Sequence, residues 1–236
     1  MTKEEVRSRI REIAIIPAIR AASGPDAHFA AEAVTRAGIP IVEITMTVPG
    51  AVELMAHLVR SNPQLVVGAG TVLDTDTARL CMDAGVSFVT APSLDPMLLE
   101  FAAKHNIVSM PGALTPTEVV TAWRAGADFI KVFPCGPVGG DRYIKALHFS
   151  LPQVPLIAAG GVNQMTAGSF ILSGATAIGV GTELIPTEAI LRRQSQRIHE
   201  LARRFTKLVK DARQQIEAWK KSQVVMEYTA AEKCEE

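Results

Sequence analysis

No sign of charge is in excess: 24 Lys and Arg residues stand against 24 Asp and Glu in a chain of 236. Without a basic surplus there is little counterion release to drive binding to nucleic acid, so nucleic acid is not an expected partner. Cysteine is scarce. Cys81, Cys135 and Cys234 are far apart, odd in number and without CxxC spacing. That pattern argues against a disulfide framework and against a zinc cluster, and suits a reducing cytoplasm. No apolar run approaches the roughly 20 residues that a membrane span requires, so no membrane partner is expected. The opening MTKEEVRSRIREI alternates charges and has no apolar stretch, so it does not read as a secretory signal.

What is present is a folded chain. Apolar residues make up 48% and charged residues 20%, which excludes disorder over most of the length. Eight short apolar runs recur at even intervals. They begin at Ile13, Ile39, Leu65, Val86, Ile107, Phe129, Val154 and Ala177, so the gaps are 26, 26, 21, 21, 22, 25 and 23 residues. Several are β-branched and nearly uniformly apolar, as strands buried on both faces of a parallel sheet are.

The intervening segments read as helices. Ser23-Gly24-Pro25 opens one and Gly38 closes it; Thr115-Pro116-Thr117-Glu118 is a capping box. Gly85, Gly126 and Gly174 fall at helix ends. Eight strand–helix units in about 200 residues predict a (β/α)8 barrel, with a doubly wound open sheet as the alternative. Residues 2–12 read as a short helix across the barrel bottom. After Pro186 one long amphipathic helix is expected. Its apolar stripe is Ile198, Leu201, Phe205, Leu208, Ala212, Ile216 and Trp219, suited to lying across the barrel or to a subunit contact. Residues 1–222 are expected to form one unit, with 223–236 a frayed tail.

Chemistry in such a barrel sits at the C-terminal ends of the strands. Two charged residues interrupt the apolar runs there. Lys131 stands in Phe129-Ile130-Lys131-Val132-Phe133 and shares a face with the two phenylalanines. In such a place desolvation disfavours an ammonium, and a neutral amine attacks a carbonyl to form a Schiff base. Glu43 stands in Ile41-Val42-Glu43-Ile44-Thr45 and faces inward on the same argument. The two lie on the second and sixth runs, which feed the same side-chain layers, so they can meet across the mouth. An amine beside a carboxylate supplies a nucleophile and a proton shuttle. A buried ion pair with no chemistry is the other reading.

Glycine-rich loops follow the last two runs: Gly160-Gly161, and Gly179-Val180-Gly181-Thr182. Barrels often bind phosphate there, through backbone N–H groups that glycine leaves open. Gly68-Ala69-Gly70-Thr71 adds a hydroxyl at the end of the third run. Arg20 ends the first run, and Lys145 follows Gly139-Gly140; either could bind an anion or stand as a surface charge. The five histidines fall in helical stretches without metal-ligand spacing, so no catalytic metal is expected. Cys135, just past the sixth run, reads as a loop residue.

Several of these elements occur together and in order. Glu43-Ile44-Thr45, Gly68-Ala69-Gly70-Thr71-Val72-Leu73, Met110-Pro111-Gly112, Lys131-Val132-Phe133-Pro134, Gly139-Gly140 with Tyr143-Ile144-Lys145-Ala146-Leu147, and Gly160-Gly161-Val162 resemble the 2-keto-3-deoxy-6-phosphogluconate (KDPG) aldolase / 4-hydroxy-2-oxoglutarate (KHG) aldolase family over about residues 8 to 190. The resemblance implies a class I aldolase on a (β/α)8 barrel. It also implies a homotrimer, no metal or organic cofactor, and a phosphorylated keto acid as substrate. Lys131 matches the Schiff-base lysine and Glu43 the acid/base glutamate. Thr71 matches a threonine at the pyruvate end. Gly160, Gly161, Gly181 and Thr182 match the phosphate site, and Arg20 an arginine after the first strand. Thr47, Pro92 and Phe133 fall at further substrate contacts.

The sequence departs from the family in two places. Thr47 stands where many members have an arginine for the pyruvate carboxylate, and Ala158-Ala159 where many have Pro-Thr. The rival readings are another phosphate-binding barrel, an isomerase or epimerase using Glu43 as base, and a barrel that has lost catalysis.

Overall fold

A computed structural model describes the backbone of residues 1–232 and the side chains of residues 1–222. The predicted strands are present: β1 (Ile15–Ile19), β2 (Ile41–Thr45), β3 (Val66–Gly70), β4 (Phe88–Thr90), β5 (Val108–Met110), β6 (Gly112–Ala113), β7 (Ile130–Val132), β8 (Leu156–Ala159) and β9 (Ala177–Val180). The fifth run is divided. Pro111 has no N–H for the ladder, so β5 pairs on one side with β4 and β6 on the other with β7. All the pairings are parallel, in the order β5-β4-β3-β2-β1-β9-β8-β7-β6. The chain through Pro111 joins the two ends of that order, which makes the sheet a (β/α)8 barrel rather than an open sheet.

The registers determine which residues share a level. In a barrel of this type a layer perpendicular to the axis climbs one residue per strand. Starting from Glu43, the pairs Glu43↔Gly68, Ala69↔Val89, Thr90↔Met110 and Gly112↔Lys131 lead through Thr90 to Lys131. The pairs Lys131↔Ile157, Ala158↔Ile178, Ile16↔Gly179 and Ala18↔Glu43 continue through Gly179 and return to Glu43. Glu43, Thr90, Lys131 and Gly179 therefore form one layer. Two residues below on the same strands lie Ile41, Phe88, Phe129 and Ala177, each fully buried. That apolar floor contributes roughly 1.5–3 kcal/mol per large side chain. Half a step above the polar layer, the other four strands present only Ala18, Gly70, Gly112 and Ala159. The space left by these small residues is the cavity.

Helices surround the barrel: α2 (Gly24–Arg36), α3 (Ala51–Ser61), α4 (Thr75–Asp83), α5 (Pro96–Lys104), α6 (Pro116–Arg124), α7 (Asp141–Ser150) and α8 (Ala167–Leu172). Ser23 caps α2 and Thr115 with Glu118 forms the expected box on α6. The first helix, α1 (Lys3–Ile13), closes the bottom. It buries Val6 and Ile10, and Lys3 and Arg7 reach the buried Asp128 at 2.9 and 3.6 Å.

The C-terminal region differs from the single helix expected after Pro186. It is α9 (Thr187–Leu191), then a break where Arg193 takes a left-handed φ of 53°, then α10 (Ser195–Glu232). The buried stripe of α10 is Ile198, Ala202, Phe205, Val209 and Ala212; Ala202 and Val209 replace Leu201 and Leu208. Small residues let the helix lie close against α2 and α8, and the leucines take the edge of the contact. Arg213 of α10 donates to the carbonyls of Arg11 and Glu12 and so ties it to the end of α1. Trp219 is 63% exposed and makes no part of the packed face. The expected tail, 223–236, lies outside the described side chains; the backbone is helical as far as Glu232.

Candidate active site

A cavity of about 310 Å³ opens at the C-terminal ends of the strands. Ala18, Arg20, Glu43, Lys131, Phe133 and Gly160 are among the residues that line it, with Gly161, Gly181, Thr182 and Glu183 at its rim. Of the residues expected at a site, Lys131, Glu43, Arg20, Phe133 and the four glycine-loop positions are brought together here.

Lys131 sits on β7 between Ile130 and Val132, whose buried side chains hold the strand against the helices. Its Nζ lies 5.4 Å from the centre of the Phe133 ring and donates to Thr90 Oγ1 at 3.4 Å. Thr90 in turn donates to Glu43 Oε2 at 3.0 Å. Glu43 is 3% exposed and Thr90 2%. The other carboxylate oxygen, Oε1, is buried and bonds to no described residue. It leans over Gly70, where a Cβ would come within 2.1 Å of it. The carboxylate thus holds one oxygen fixed and leaves the other without a partner among the described residues.

The rim presents open backbone donors. Gly160 and Gly161 take φ of 76° and 93°, and Cβ atoms there would meet Pro134 at 2.9 Å and Gly136 at 2.8 Å. The loop after β7 crosses so closely that Cys135 and Gly136 donate from their backbones to Ala159 and Gly160. Among the described residues, the backbone N–H groups of Gly160, Gly161, Val162, Gly181, Thr182 and Glu183 have no acceptor. Unpartnered N–H groups on two adjacent loops are a donor set of the kind that can hold an anion. The Arg20 guanidinium lies beside Gly181 and adds a cation.

A family model for KDPG and KHG aldolase matches residues 6–201. The chain belongs to the KDPG and KHG aldolase family. Within that family it is 29% identical over 193 residues to the 2-dehydro-3-deoxy-phosphogluconate aldolase of Pseudomonas aeruginosa, covering 82% of this chain and 88% of that one. It is 30% identical over 172 residues to a probable 2-dehydro-3-deoxy-6-phosphogalactonate aldolase of Rhizobium meliloti, covering 72% and 81%. Among solved structures, the KDPG aldolase of Legionella pneumophila, with pyruvate captured as a covalent carbinolamine, superposes with a TM-score of 0.77 at 28% identity. That match covers 84% of this chain and 96% of the other.

Other family positions lie outside the cavity lining. Thr47 is exposed, with its Oγ1 2.7 Å from that of Thr45. Thr45 gives its own proton to the Ile19 carbonyl, so Thr47 is the donor of the pair and its side chain turns back on the strand end. Thr71 takes a left-handed φ of 59° just past β3, and Pro92 runs its carbonyl across Gly112. Lys145 is an exposed residue of α7. Cys135 is buried and donates its thiol to the Gly160 carbonyl. Burial pushes that thiol up to about 11, against weaker lowering by backbone hydrogen bonds, which favours the protonated thiol over the nucleophilic thiolate.

Thr90, Asn163 and Glu183 belong to the site and carry no charge or glycine signal in an apolar run that would single them out. Thr90 is reached only through the register: stepping one residue per strand from Glu43 to Lys131 passes through it.

Proposed function

We propose that this chain is a class I aldolase that cleaves a 2-keto-3-deoxy phosphosugar acid, such as KDPG, or 4-hydroxy-2-oxoglutarate, to pyruvate and an aldehyde. The observation that carries the reading is one layer of the barrel. It places the Lys131 amine and the Glu43 carboxylate on either side of one hydroxyl, under a rim of unpartnered N–H groups. Lys131 attacks the C2 ketone and, with loss of water, becomes an iminium ion. The free Oε1 of Glu43 takes the proton of the C4 hydroxyl. The electrons of the C3–C4 bond then flow into the iminium, and the aldehyde leaves. The remaining enamine is protonated at C3 by Glu43, and hydrolysis of the iminium releases pyruvate. The imine is the electron sink, so this route uses neither a metal nor an organic cofactor.

The loops carrying Gly160, Gly161, Gly181 and Thr182, with Arg20, hold the phosphate of a phosphorylated substrate. Binding energy from that remote group then positions the reacting carbons. We further propose residues 1–222 as one catalytic unit, the cytoplasm as its location and a homotrimer as its assembly. The free, buried thiols of Cys81 and Cys135 suit a reducing compartment. The exposed Leu73, Leu80 and Met97, on adjoining segments, offer apolar surface for a subunit contact.

Borohydride reduction with pyruvate, followed by peptide mass spectrometry, tests the reading. A reduced pyruvate adduct on Lys131, absent from Lys131→Ala, is the expected result. No adduct at saturating pyruvate overturns it and favours an isomerase or a binding role.

A further inference from the structure

We propose that Thr90 is the proton relay between Lys131 and Glu43 in imine formation; the proposal rests on the aldolase reading above. The two charged groups are not in direct contact. Thr90 Oγ1 accepts from Lys131 Nζ at 3.4 Å and donates to Glu43 Oε2 at 3.0 Å, so the hydroxyl completes a one-directional chain from ammonium to carboxylate. A hydroxyl is suited to this because it can accept one proton while releasing another. At 2% exposure it lies in the buried layer just above the apolar floor, beside a Glu43 that is itself 3% exposed, so solvent does not compete for the hydroxyl or the carboxylate. The register fixes it there, since β2, β4 and β7 contribute their residues to the same layer.

The step balances. The Lys131 ammonium gives a proton to Thr90 Oγ1 as Thr90 gives its own to Glu43. This leaves a neutral amine, a threonine hydroxyl and a carboxylic acid. The amine nitrogen bonds to the C2 carbon, and the carbonyl π electrons move to oxygen. Transfer of an amine proton to that oxygen gives the carbinolamine. The proton stored on Glu43 then goes to the hydroxyl, the C–O bond breaks and water leaves. The products are an iminium ion and the original carboxylate. The 3.4 Å contact is at the long end for a hydrogen bond, as catalytic contacts often are before substrate binds.

The test compares Thr90→Val, which keeps the shape and removes the hydroxyl, with Thr90→Ser, which restores the hydroxyl. The readout is the rate at which the borohydride-trapped pyruvate adduct forms on Lys131, followed against pH, with pyruvate KM and melting temperature alongside. The wild type is expected to form the adduct. Thr90→Val is expected to form it about 10²–10³-fold more slowly near neutral pH, within the range for a lost acid–base step. Its KM should be nearly unchanged, and the deficit should shrink at high pH, where hydroxide can take the lysine proton. Thr90→Ser is expected to recover most of the rate. Where valine perturbs packing, Thr90→Ala against Thr90→Ser gives the same contrast. A folded Thr90→Val with the wild-type rate overturns the relay while leaving the aldolase reading intact. So does a serine variant no faster than valine. A wild type that forms no adduct overturns the aldolase reading, and the relay with it.

Discussion

The Arg20 guanidinium lies where a side chain on Gly181 would begin: a Cβ there would stand 2.9 Å from Nη1. Two residues from the loops after β1 and β9 thus build one feature, a cation beside open backbone N–H groups. Of the described residues lining the cavity, only Arg20 and Lys131 are cationic, and the proposed mechanism engages Lys131 at the reacting carbon. On the proposed mechanism this leaves Arg20 for the far anion. Hydrogen bonds to charged groups contribute about 1.5–3 kcal/mol. Arg20→Gln should raise KM for a phosphorylated substrate roughly 10- to 100-fold, with pyruvate adduct formation on Lys131 unchanged. Steady-state kinetics and borohydride trapping on one preparation separate the two effects. An equal loss in both would remove Arg20 from the phosphate end.

At the opposite end of the barrel, Asp128 should matter for stability and not for chemistry. It is 8% exposed and accepts from the Ser109 backbone at 2.9 Å and hydroxyl at 3.3 Å, besides its contacts to Lys3 and Arg7. Asp128→Asn keeps the volume and removes the charge that holds α1. Urea unfolding should show a loss of about 1–3 kcal/mol, with kcat/KM per folded molecule as in the wild type. A change in kcat would mean that the bottom helix influences the cavity.

Much of this arrangement is legible in the sequence. Lys131 and Glu43 stand out because a charge inside an apolar strand needs a reason, and even spacing of the runs implies closure. The loop glycines follow from their place after the last two runs. Thr90 is harder to find. Threonine is an ordinary strand residue, and its partners lie 41 and 47 positions away. Only the barrel register brings them together. The break at Arg193 has no glycine or proline to announce it. The packed face of α10 is shifted because closeness of approach, which favours Ala202, outweighs the size of Leu201. Thr47 follows the family's spacing, but its side chain bonds to Thr45 instead of reaching the cavity.

Two buried thiols make stability depend on alkaline pH. Burial pushes both Cys81 and Cys135 from 9.0 up to about 11. A raised folded-state value means the folded chain holds its protons longer. The contribution is full below pH 9, where both states are protonated. It is lost between about 9 and 11, as the unfolded chain ionises first. Each thiol accounts for on the order of 2–3 kcal/mol over that window. Urea midpoints at pH 8 and pH 10.5 should therefore fall more for the wild type than for the Cys81→Ala, Cys135→Ala double variant. Parallel falls in the two proteins would show that other groups carry the alkaline loss.

Gly68 and Gly70 are two residues apart on β3 and face the same interior, yet alanine at each should fail in a different way. At Gly70 the new Cβ would come within 2.1 Å of Glu43 Oε1 and 2.6 Å of its carboxyl carbon. A carboxylate at the end of a flexible side chain can swing aside, so the fold absorbs the change and the active site does not. Gly70→Ala should keep most of its stability and lose about 10²-fold or more in kcat, the scale of a displaced acid–base group. At Gly68 the Cβ would meet the Phe88 ring at 2.1 Å. That ring belongs to the fully buried floor and has nowhere to turn. Overpacking of this kind costs about 1–3 kcal/mol. Gly68→Ala should thus unfold at lower urea concentration, with kcat per folded molecule much closer to the wild type. If Gly70→Ala kept its kcat, Glu43 would have to act from a position other than the one it holds against Thr90. The acid–base assignment would then fall while the imine on Lys131 could stand.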